Sequence, residues 1–215
     1  MGARGFGVST SMLAALIVSL PAAAADSPHV ICPLVLQQER VNREERELAV
    51  EIAEARLAAE ESIFSLVDQL WNNDAVERIV YLTSKHVRDV AEIEVKRRQL
   101  LLKRQEAEVE QLEITCSSQG SSADFESAHR RYLQADCHRI GKELAIAELD
   151  LAFLSEFLAS VQDLRKHGVA TAQDVIRAER DVEMARKRVE RHGPRVQECV
   201  SSGAAAGVDQ KKAAP

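Results

Sequence analysis

An all-α fold, built as two long antiparallel helical hairpins in up-down-up-down order, is predicted by three observations on this sequence. No proline interrupts the 160 residues between Pro33 and Pro194. Apolar residues within that stretch recur at helical and heptad spacing rather than in alternation. The four cysteines are placed symmetrically about two turn-like segments. Composition agrees: 46% apolar residues exclude a disordered chain, while 29% charged and only 4% aromatic residues suit long solvated helices better than a globular enzyme core. Gly-rich phosphate loops, Asn-Gly hairpin turns and strand-length runs of Val, Ile, Thr and Tyr are missing, which removes Rossmann, P-loop, sandwich and barrel readings.

Residues 1–25 read as a cleaved signal peptide. Arg4 precedes the apolar run Met12 to Leu20, and Pro21 and the small residues Ala22 to Ala25 follow, placing cleavage after Ala25. The run is about nine residues, far short of the roughly 20 needed to span a bilayer. Cys32 lies eleven residues beyond Pro21, too far for a lipid-acceptor cysteine. The expected location is therefore the periplasm or outside the cell, with no transmembrane segment in the mature chain. The net charge of −6 becomes −7 when Arg4 leaves with the leader, which disfavours nucleic acid and anionic membranes as partners.

A short lead, 26–32, opens the mature chain, and hairpin 1 is expected over 33–116. Its first helix carries Leu34, Val41, Leu48 and Ala55 on one heptad row and Ile52, Ala59 and Leu66 on the adjoining row, a coiled-coil stripe with charged residues on the other faces. It ends near Trp71, where Asn72-Asn73-Asp74 is expected to turn the chain and cap the next helix. That second helix is read from Ala75 to Cys116, with Ile93, Leu100, Ala107 and Ile114 in register. A serine-rich segment around Gly120 forms the connecting loop, 117–123. Hairpin 2 covers 124–199. Its first helix, from Asp124 to about Lys166, has the most apolar face, including Leu149, Phe153, Phe157 and Val161. Its second helix starts near Thr171 and meets a stop at Gly193-Pro194, with at most one further turn. Residues 200–215 read as a disordered tail.

The cysteines report on the fold. An even count in an exported chain points to disulfides, and residues equidistant from a turn face each other in an antiparallel helix pair. The midpoint of Cys32 and Cys116 is Asp74, and that of Cys137 and Cys199 is Gly168, so both fall on predicted turns. Neither Cys32–Cys199 with Cys116–Cys137 nor Cys32–Cys137 with Cys116–Cys199 gives such agreement. The two tips also stand at nearly equal distances from Gly120, which puts them at one end of a rod about 65–70 Å long.

The second tip reads His167-Gly168-Val169-Ala170-Thr171-Ala172-Gln173-Asp174-Val175, with Val182 and Ala185 farther on. This resembles the periplasmic tip of TolC-type outer-membrane efflux channels, in which a Gly-apolar-x-Ser/Thr-x-x-Asp-Val segment leaves the turn. Gly168 supplies a positive φ, Thr171 caps the next helix, and Asp174 closes a capping box. The first tip, from Gln69 to Val76, aligns with the second at an offset of 94 residues, Leu70 matching Leu164. The resemblance is to the helical-hairpin part alone, because the family's membrane strands are absent, the chain is about half the usual length and the cysteines are foreign to its pattern. It implies docking of the tips on an envelope protein such as a periplasmic adaptor, a role that maps onto Gly168, Val169, Thr171 and Asp174. At the first tip Trp71, Asn72, Asn73 and Asp74 are the candidate contacts, the Trp71 indole being either packed under the tip or offered to a partner.

No chemistry is expected. The six histidines include no i,i+3 or i,i+4 pair and no His-Glu-x-x-His, so they read as single surface residues without a metal site, and no catalytic residue or cofactor is assigned. The expected function is non-enzymatic binding of envelope or efflux-associated proteins through the tips, with assembly into oligomers left open. A holding chaperone for outer-membrane clients or a structural spacer is the alternative.

Overall fold

The computed structural model describes residues 28–117 and 120–202. Four helices account for nearly all of them: α1 (Pro28–Asn72), α2 (Arg78–Cys116), α3 (Ser122–Lys166) and α4 (Ala172–Ser201). The leader 1–25 and most of the C-terminal tail lie outside the described residues. Each helix packs antiparallel on its neighbours in sequence, α1 on α2, α2 on α3 and α3 on α4. Among the described residues α1 and α4 do not meet. The molecule is thus an open row of four helices whose longest members, at 45 residues, extend about 67 Å.

Small residues set the seams. Ala91, Ala107, Ala128, Ala135, Ala147, Ala178 and Ala185 are buried, mixed with Val50, Val95, Val109, Val161, Val175 and Val182, and no large side chain is fully buried. On α4 the buried set Val175, Ala178, Val182 and Ala185 follows the 3–4 spacing of a heptad seam. A core of alanines removes little apolar surface per residue, and polar ties share the seams with it. Arg40–Glu113 at 2.7 Å and Gln105 donating to Glu39 at 2.7 Å join α1 to α2. Arg104–Asp136 at 3.2 Å joins α2 to α3, and Arg188–Asp150 at 3.0 Å joins α3 to α4. Glu143 of α3 gathers Arg97 from α2 and His192 and Arg195 from α4, each at 3.8 Å.

Both expected disulfides are present. Cys32–Cys116 and Cys137–Cys199 close hairpins 1 and 2 at their bases with Cα separations of 5.7 and 5.5 Å, inside the range a disulfide tolerates. The antiparallel α2–α3 seam places both tips at one end, and the Arg78–Glu156 pair, 3.8 Å, spans that seam near them.

Four expectations need correction. The heptad row Leu34, Val41, Leu48 does not face α2; these side chains are 64%, 44% and 56% exposed, with Ile52 at 61% and Leu66 at 58%. The face that meets α2 runs instead through Cys32, Leu36, Glu39, Val50, Ala53, Leu57, Phe64 and Trp71, all buried or half-buried. It carries the larger aromatic side chains, Phe64 and Trp71, and admits one polar pair, Gln105 with Glu39. Second, α4 passes through Gly193 and Pro194 and continues to Ser201. A proline inside a helix costs about 3 kcal/mol, but Val189, His192, Val196 and Cys199 keep seam spacing across it, and the disulfide holds the last turns on α3. Third, the lead is largely helical, since α1 begins at Pro28, where a missing N–H costs nothing. Last, α2 begins at Arg78 rather than Ala75, and α3 begins at Ser122, capped by Ser121, rather than at Asp124, so the connecting loop is shorter than 117–123.

Candidate functional site: the hairpin tips

The two tips share one backbone design at the 94-residue offset read from the sequence. At the second, the Val169 N–H donates to the Leu164 carbonyl at 2.9 Å and Gly168 takes φ +76°. At the first, the Ala75 N–H donates to the Leu70 carbonyl at 2.8 Å and Asp74 takes φ +53°. This is a Schellman-type helix stop in both cases, with the left-handed residue one position beyond the cap. Asp74 is the only non-glycine residue with positive φ among those described. The turn therefore uses Asp74 as its left-handed residue, and the expectation that Asn72, Asn73 or Asp74 caps α2 is overturned. Glu77 is the N-cap of α2, and its side chain makes no cap bond. Asn72 and Asn73 turn back on α1 instead, donating to Asp68 at 3.2 Å and to the Gln69 carbonyl at 2.8 Å.

The second tip is more tightly built. Asp174 N–H donates to Thr171 Oγ1 at 3.2 Å, while Thr171 N–H donates to Asp174 Oδ2 at 2.9 Å and the Thr171 hydroxyl to the same oxygen at 2.6 Å. The expected capping box is thus complete. The Thr171 hydroxyl first, then the Thr171 backbone N–H, holds the Asp174 carboxyl below the ordinary carboxylate range. Ser121 and Asp124 repeat the arrangement at the start of α3, with the same consequence for Asp124. In the first tip the corresponding positions are Glu77 and Val80, which cannot form it.

Side-chain display differs as well. Val169 is 71% exposed, the most exposed large apolar side chain of the described molecule, and Ile176 follows it on the first turns of α4 at 63%. Trp71 goes the other way. Its ring stacks on Tyr81 at 5.1 Å, Phe64 lies 5.8 Å from Tyr81, and the Arg88 guanidinium sits 4.3 Å over Phe64. Trp71 is therefore packed beneath the first tip, while Asn72, Asn73 and Asp74 are left as its exposed polar crown. Gly168, Val169 and Thr171 are exposed together, with Asp174 half-buried against Thr171. Ile176 was not among the expected tip residues. The signal that finds it is its place one residue off the Val175, Ala178, Val182 seam.

No acid–base constellation accompanies the tips. Three histidines expected at the surface are half-buried in the seams. His86 Nε2 lies 3.2 Å from Asp150 with its ring stacked on Phe153, and His192 faces Glu143. His138 is pushed below the usual imidazole range by burial first and by Lys142 and Lys103 next. Among the described residues no cluster of three metal-ligating side chains forms. No helix among them is long and apolar enough to cross a membrane. The hollows on the row are open grooves between helices, such as that over Ala49, Ala53, Ala91 and Ile146. No protein-family model, curated protein or solved structure matches the chain.

Proposed function

We propose that this is a non-enzymatic extracytoplasmic protein that binds a protein of the cell envelope through its hairpin tips, the second tip providing the apolar contact. The observation that carries the reading is Val169, 71% exposed on a turn fixed by the Leu164 bonds and the Thr171–Asp174 box. An apolar side chain held out on a rigid pedestal loses little conformational freedom on binding, which favours its use as an anchor. Two disulfides suit an oxidising compartment and agree with export by the leader. The TolC-like wording of the tip supports a periplasmic adaptor hairpin as the partner, docking on Gly168, Val169 and Thr171 with the polar crown of the first tip alongside.

Photo-cross-linking from position 170 in intact cells, followed by identification of the adduct, tests this. The expected result is one envelope protein captured by wild type and lost with Val169→Asp, while helicity and melting temperature stay unchanged. Trp71→Ala should by contrast show as lost stability. Equal capture by wild type and Val169→Asp, or adducts spread over many clients, would leave the chaperone or spacer reading in its place.

A further inference from the structure

Independently of the tips, we infer that the outer face of α1 is the seam of an antiparallel homodimer, in which two copies pack α1 against α1 about a twofold axis near residues 52–55. The starting observation is an apolar row without a partner among the described residues. Leu34, Val41, Leu48, Ile52, Ile63 and Leu66 are 44–64% exposed along the full length of an edge helix. Leu34, Val41 and Leu48 lie opposite the face that packs on α2, where Val50, Ala53, Leu57 and Phe64 are buried or half-buried, while Ile52 and Leu66 follow on the adjoining row and Ile63 on its flank. A helix with two heptad faces is built for two neighbours, and among the described residues it has one, α2. Together with Val35 and Leu70, the row exposes on the order of 700 Å² per copy, so two copies would bury close to a standard stable interface.

The sequence of the row selects the occupant and the register. With Ile52 set against Ala55 of the second copy, Leu48 meets Ala59 and Val41 meets Leu66, so Ile52 and Leu48 face alanines, as close helix packing requires, and Val41 packs on Leu66. Polar positions coincide in the same register: Glu45 meets Ser62 and Gln38 meets Gln69. On the acidic flank, Glu44 meets Ser65 and Glu51 meets Ala58, and no carboxylate opposes another. A parallel pair would set Glu45, which lies on the seam, against its own copy, a like-charge cost. The other free edge is a poorer fit. α4 is 30 residues to α1's 45 and is shorter than the row it would have to cover. It would also press the exposed Arg177, Arg180, Lys187 and Arg191 onto the apolar row.

The test uses the oxidised full chain, whose native cysteines are all in disulfides, so an introduced thiol is the only free one. Analytical ultracentrifugation should show a concentration-dependent dimer, and Leu48→Glu with Ile52→Glu should weaken it about 100-fold or more at unchanged helicity, because both central apolar contacts are lost and charges are set against Ala59 and Ala55. Register is read by mild oxidation of Leu48→Cys mixed with Ala59→Cys. The mixed pair should cross-link, and neither variant should cross-link with itself. Four results would each overturn the inference: a chain that stays monomeric up to about 100 μM, efficient Leu48→Cys self-linking, an oligomer indifferent to the glutamate variants, or cross-links from either position to α4.

Discussion

Asp74 and Gly168 occupy equivalent turns, and that equivalence makes the backbone cost of each separable from its surroundings. Both sit at positive φ, +53° and +76°, with both residues solvent-exposed. A left-handed non-glycine residue costs about 1–2 kcal/mol, less for Asp than for a branched residue. Asp74→Gly should therefore raise stability by up to about 1 kcal/mol, and Gly168→Ala should lower it by about 1 kcal/mol. Urea unfolding of the two variants checks both signs; a loss with Asp74→Gly would mean that its carboxylate works at the tip. Gly120 is a glycine for a different reason. A Cβ there would stand 2.7 Å from the Ile114 carbonyl oxygen, so the α2–α3 turn closes too tightly for any side chain. The glycine at 168 is legible in the sequence because the motif around it demands one. Asp74 is not, since Asn72, Asn73 and Asp74 are each chemically able to take the left-handed place, and only the bond from Ala75 to Leu70 selects among them.

Among the elements, α4 and α2 start at matching points of the repeat with unequal caps, Thr171 and Asp174 against Glu77 and Val80. Thr171→Ala should cost about 1 kcal/mol, and grafting the box as Glu77→Thr with Val80→Asp should stabilise the first tip, because it supplies the cap bond that Glu77 does not make at an exposed position. The pH dependence follows from sign. Asp174 and Asp124 have folded carboxyls held below the ordinary range, so their contribution is complete above the unfolded carboxylate pKa and is lost as pH falls through the folded one. Acid titration followed by circular dichroism should therefore fray the starts of α3 and α4, and Asp174→Asn should remove the α4 part of that response. Helix boundaries were less legible than helix existence. Pro194 reads as a stop by propensity, yet α4 continues because the Val196 and Cys199 contacts with α3 outweigh it.

For the molecule as a whole, an alanine-lined row of helices has little buried apolar area, and the two disulfides carry a large share of its stability. Each closes a loop, of separation 84 or 62, worth about 4–5 kcal/mol in the chain-entropy model. Reduction should lower the melting temperature sharply, and Cys32→Ser with Cys116→Ser should loosen hairpin 1 selectively, with faster amide exchange over 33–60 than over 130–190. Uniform exchange would mean that the four helices unfold as one unit. What the sequence determined by itself was the part that depends on one chain axis: helix periodicity, the two turns, the 94-residue repeat and the cysteine pairing, because a midpoint in an antiparallel pair is a count along the chain. Only the tertiary structure decided which face of each helix is inside. On α1 both rows carry apolar residues at heptad spacing, and Phe64 and Trp71 meeting Tyr81 of α2, with Glu39 paired to Gln105, turn one row inward and leave Leu34 to Leu66 outward. Heptad spacing reports that a face seeks a neighbour; which neighbour it meets depends on the complementarity of a second helix.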